Sequence, residues 1–77
     1  MQDRESLTHE IRSFVQTEIG AGPDYFRMEW DRVVDEITRK ALSRFLSDDL
    51  TRAIQSDWVE QIVVQEATKA GLNPDRQ

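Results

Sequence analysis

Apolar residues recur at helical spacing along most of the chain. Between Gly22 and Ser47, residues Phe26, Trp30, Val33, Val34, Ile37, Ala41 and Phe45 fall within one sector about 120° wide, the width of a core-facing stripe. The spacing predicts one long helix over residues 23–46, about 35 Å in length, as the spine of a small helical domain. Its start carries Gly22 as N-cap, Pro23 at the first helical position, where a missing N–H costs nothing, and Asp24 at the positive end of the helix dipole. Met28, Leu42 and Leu46 make a second, sparser apolar strip on the far side, shared with Asp35.

Ahead of this spine, Leu7, Ile11, Phe14 and Val15 form a narrow stripe with Ile19 at its edge, which predicts a first helix over 4–19. Asp3 or Ser6 suits its cap, and Gly20 suits the left-handed residue after its end. Behind the spine, Ser47 followed by Asp48 and Asp49 reads as a corner and a new helix start, a Ser N-cap with two carboxylates in the first turn.

The third helix is predicted over 48–70, and its apolar face rotates partway along. Leu50 and Ile54 lie on one side, Val59, Val63 and Ala70 nearly opposite, with Trp58 and Ile62 between. Either the segment splits at 56–57, where Asp57 and Glu60 have capping-box spacing, or one helix is held between two packing surfaces. Its end combines Lys69 near the dipole's negative pole, Gly71 as stop, Leu72 folding back on Ala67, and Pro74, which forbids resumption. Residues 73–77 are expected to be a tail. No strand pattern and no internal repeat is present.

The fold expected is all-α: a small antiparallel bundle of three helices in a single domain, or four if the last segment breaks near Ser56. A chain of 77 residues buries only about 60 to 65% of the surface its unfolded form exposes. The apolar strips exceed what one such unit covers, so dimerisation through the second and third helices is expected to complete the core.

Charge and composition narrow the function. Ten Lys and Arg stand against fifteen Asp and Glu, a formal net charge of -5, which repels nucleic acid and anionic lipid. With no cysteine there is neither a disulfide framework nor thiol chemistry. The first residues lack the basic and apolar regions of a signal peptide, and no apolar run reaches the roughly 18 residues a bilayer span needs, so a cytoplasmic location is expected.

No constellation for catalysis stands out. His9 is the single histidine, points away from the apolar stripe, and has no second histidine at the spacing of a zinc-binding helix. Adjacent carboxylates abound, but a short helical domain offers little cleft to push two pKa values apart. Calcium-loop, Gly-rich phosphate-loop, helix-turn-helix and tetratricopeptide signatures are missing. Arg32, Arg39, Lys40 and Arg44 spread over about 140° with acids close to all but Arg44, a solvated face rather than a phosphate-tracking stripe. No enzyme activity, cofactor or metal is therefore expected.

What remains is docking. Trp30 belongs to the main stripe, whereas Trp58 sits where the face rotates and suits an interface anchor or a core corner. The expected function is a non-catalytic protein interaction module, a small regulator, inhibitor or adaptor, touching a basic partner surface through Met28, Leu42, Leu46, Trp58, Val59 and Val63. On that reading Val63→Asp or Leu46→Asp abolishes docking. The alternative is an acidic nucleic-acid mimic of the anti-restriction or anti-CRISPR type, using Asp31, Asp35, Glu36, Asp57 and Glu60 to block a basic cleft.

Overall fold

The structure, a computed structural model, describes residues 4–46 and 48–72. Among them it is all-α: helix α1 (Arg4–Ala21), a 3-10 turn (Tyr25–Arg27), helix α2 (Trp30–Phe45) and helix α3 (Asp49–Lys69). The expected cap at Asp3 or Ser47 and the tail over 73–77 fall outside the described residues, as does the Asp49 side chain. The three helices enclose one core of Ile11 and Val15 from α1, Val33, Val34, Ile37 and Ala41 from α2, and Val59, Ile62, Val63 and Ala67 from α3. Each of these follows the 3.6-residue period of its helix, and each large apolar side chain so buried contributes about 1.5–3 kcal/mol.

The second helix begins later than its pattern predicts. Residues 23–29 do not extend α2; they form the 3-10 turn and an extended Met28 and Glu29, with Trp30 the first helical residue. The reason is tertiary. Tyr25 is fully buried, and its hydroxyl donates to Glu18 Oε2 at 2.5 Å, while Lys40 Nζ reaches Glu18 at 2.7 Å and the phenol oxygen at 3.2 Å. A turn that points the phenol into the seam between α1 and α2 outweighs about two turns of helix propensity. Phe26, projected onto the core stripe by a straight helix, is thereby turned out and left 47% exposed.

Gly22 makes this turn feasible. Its N–H donates to the Glu18 carbonyl at 2.8 Å, and a Cβ on Gly22 would sit 2.7 Å from that same oxygen, so any side chain would force the chains apart.

Helix α3 is continuous through Ser56, so the segment does not split at 56–57. Its N-cap is Asp48, whose side chain accepts from the Thr51 N–H at 2.8 Å and from the Thr51 hydroxyl at 2.9 Å. These bonds hold the Asp48 carboxyl below its ordinary pKa. At the other end, Leu72 N–H donates to the Ala67 carbonyl and Gly71 N–H to that of Thr68, the two bonds of a Schellman motif. Gly71 has φ 96°, and Leu72, 1% exposed, folds into the core.

Two polar groups lie inside. Glu66, 3% exposed, ties α3 to α1 by accepting from Gln16 Nε2 at 2.8 Å and Arg12 Nη1 at 3.4 Å, with Lys69 at 3.3 Å. Burial pushes its pKa up, but the bonds from Gln16, Lys69 and Arg12 together prevail and hold it below the ordinary value. Thr38 is different. Its Oγ1 is buried with no hydrogen-bond partner among the described residues. Thr38→Val removes that orphaned hydroxyl at nearly constant shape, and should stabilise the protein by about 1 kcal/mol, raising Tm by about 4–8 °C in a calorimetric scan.

Candidate docking surface

The six apolar residues expected to form a docking face do not share one. Val59 and Val63 are 0% exposed and Leu46 is 8% exposed; all three are core. Leu42 and Trp58 are half-buried against that core, and Met28 lies in the turn ahead of α2. About 24 Å of helix separates the turn holding Met28 from Leu46 at the far end of α2, so these residues cannot meet one partner side chain. Trp58 is capped on one face by the Arg4 guanidinium, 4.7 Å from the ring centroid, a cation–π contact that ties the start of α1 to α3.

Besides Phe26, two large apolar residues are exposed, both on α3. Leu50 is 68% and Ile54 67% exposed, one turn apart on α3. The rotation of the apolar pattern thus records two faces of one continuous helix, an inner one of Val59, Ile62, Val63 and Ala67 and an outer one beginning with Leu50 and Ile54. The sequence pattern shows that rotation but assigns Leu50 and Ile54 to no site, because a break at 56–57 and one helix between two packing surfaces account for it equally.

The acidic residues divide by their partners. Asp31, Asp57 and Glu60 are exposed and make no ion pair among the described residues. Asp35 is exposed but paired with Arg39 one turn on, and Glu36 is half-buried. Glu18 and Glu66, which line the helix seams, are satisfied internally; the Lys40 ammonium and then the Tyr25 hydroxyl hold the Glu18 carboxyl below its ordinary pKa.

A shallow groove of about 640 Å³ runs between α1 and α2, lined by Phe14, Glu18, Glu36, Arg39, Lys40, Ser43 and Arg44. Three of its cations have partners. Lys40 is bound to Glu18 and Arg39 to Asp35, while the Arg44 guanidinium lies 5.4 Å from the Phe14 ring and 5.7 Å from that of Phe45. Those two rings pack edge to face at 5.8 Å, closing the base of the groove. His9 is exposed and borders the adjoining hollow with Arg44 and Phe45.

Among the described residues there is no cluster of three or more His, Asp or Glu able to hold a metal ion, and no helix long and apolar enough to cross a membrane. Comparison with family models, curated proteins and solved structures yields no match to this chain. A functional reading therefore rests on its own residues.

Proposed function

We propose that the protein is a non-catalytic interaction module that docks on another protein through the outer face of α3. The observation that carries this is the exposure of Leu50 and Ile54, 68% and 67%, on a helix whose inner valines are fully buried. Two large side chains one turn apart are the start of a helix-in-groove or helix-on-helix contact, and nothing in the core uses them. The same reading takes α1 and α2 as an antiparallel hairpin, supported by contacts that run in opposite senses along the two helices: Phe14 with Phe45, and Glu18 with Lys40.

The test is site-specific photo-crosslinking in the native cytosol, with the reactive side chain at position 54 or, as control, at the exposed position 43. A discrete adduct at 54 that is absent at 43 and lost in the Leu50→Asp variant is expected. Equal labelling at both positions would end the proposal.

Asp31, Asp57 and Glu60, exposed and without an ion pair among the described residues, support a second reading, the acidic mimic that occupies a nucleic-acid site on its partner. It differs in its salt response. A mimic's binding falls steeply between low and high salt and is displaced by duplex DNA, whereas apolar docking at Ile54 is retained.

A further inference from the structure

The outer face of α3 presents one strip along which a second helix could lie. From Leu50, steps of four and three residues alternate through Ile54, Asp57, Gln61 and Val64 to Thr68, a strip or seam of nineteen positions and about 27 Å that holds three apolar residues, Leu50, Ile54 and Val64. Asp57, Gln61 and Thr68 are exposed with Leu50 and Ile54, and Val64 is half-buried. This spacing is the one that a second helix lying alongside follows, because 3.5 residues per turn keeps the seam facing its neighbour. Ile54 stands out as a knob. Six to eleven residues further along, Glu60, Gln61, Val64 and Gln65 surround a shallow hollow of about 230 Å³ beside the seam, room for a side chain of a neighbouring helix.

Charge selects the neighbour. The cations of α3 are Arg52 and Lys69; Arg52 lies at an inward helical position, and Lys69 is held by Glu66. Along the seam the charged groups are Asp57 and Glu60, both exposed and without an ion pair among the described residues. A second copy laid antiparallel about the centre of the seam, near Val59, would bring Glu60 against its own equivalent and Asp57 close by, four carboxylates around one axis. A basic helix would instead place Lys or Arg against both. On the other flank Arg4 covers Trp58, so the partner's cations belong on the Glu60 side.

Building on the docking reading above, we infer that the partner of this seam is a basic amphipathic α-helix, with aliphatic residues at heptad spacing and Lys or Arg on the flank facing Asp57 and Glu60. Asp57 and Gln61 in mid-seam set its register, as buried polar positions do in coiled coils.

The experiment uses two designed four-heptad peptides with Ile and Leu in the seam, one carrying Lys and the other Glu at the flanking positions. Each is titrated into the whole protein by calorimetry, with sedimentation run in parallel. The Lys peptide should bind with Kd of about 10 μM and the Glu peptide at least about tenfold more weakly. Ile54→Asp adds a negative charge, so a merely electrostatic association would strengthen; binding through the seam should fall by about 30-fold. Asp57→Lys should weaken the Lys peptide and improve the Glu peptide. Peptides that bind equally, or binding untouched by Ile54→Asp, would overturn the inference, as would a protein dimer dissociated by Ile54→Asp, which puts a second copy on the seam. If the peptides fail while position 54 still crosslinks a discrete protein, docking stands and the basic helix falls. If position 54 captures nothing, both fall.

Discussion

Val63→Asp should unfold the protein in water at 25 °C, and so should not serve as a mutation that merely silences docking. Val63 is 0% exposed among Val59, Ile62 and Ala67 of its own helix and the inner faces of α1 and α2. A carboxylate there enters an apolar core, and burying it unpaired costs about 4 kcal/mol or more even after it protonates. The total available to a chain of 77 residues is roughly 4–12 kcal/mol. Ile54→Asp, one of the outward substitutions, should change stability by no more than about 0.5 kcal/mol. Far-ultraviolet circular dichroism of the two variants decides the matter: helical signal lost in the first and kept in the second. A Val63→Asp protein as stable as the wild type would refute this placement of the core.

Tyr25→Ala should cost about 3–5 kcal/mol, the range for removing a buried aromatic ring, and denaturant titration should show a midpoint falling without a comparable change in slope. Tyr25→Phe keeps the ring and should cost about 1–2 kcal/mol, the share of a hydroxyl bonded to a charged carboxylate. The two variants also separate in pH. Burial, and then the bond to Glu18, pushes the Tyr25 phenol up to about 12 from an ordinary 10.0. Its folded pKa lies above the unfolded one, so the stability it carries is complete below pH 10 and is lost as pH rises through about 12. Glu18 and Glu66 are shifted down from 4.5, so their contribution is complete above that value and is lost as pH falls through the folded pKa. The wild-type melting temperature should therefore hold level between about pH 6 and 9 and fall on both sides. In Tyr25→Phe the phenol's share of the alkaline fall should vanish while the acid fall remains.

The parts of this fold legible in the sequence are those fixed by neighbours a turn away. The stripe Val33, Val34, Ile37, Ala41 is buried as its spacing requires, and the stop at Gly71 with Leu72 folding onto Ala67 follows from a residue able to take positive φ. Illegible were features set by contacts across the bundle. Pro23, Asp24 and the apolar Phe26 look like the first turn of a helix, and only the bonds from Tyr25 to Glu18, seven residues back, and Lys40, fifteen ahead, show why the chain turns there instead. The burial of Val59 and Val63 has a related reason. The sequence pattern sets them on a docking face with Trp58, since periodicity reveals that a helix has two apolar sides and not which side meets the core. The choice depends on α1, whose Gln16 and Arg12 reach Glu66 and so draw that face inward.

The phenol that closes the seam between α1 and α2 belongs to the one tyrosine in the chain. Its ultraviolet ionisation band is consequently a single-site optical reporter built into the native protein. After a jump to a pH between about 10 and 12, above the ordinary phenol value and below the folded one, ionisation favours molecules in which the turn over residues 25–27 has swung away from Glu18 and Lys40. The time course of absorbance thus measures how often this one latch opens, with no label and no substitution.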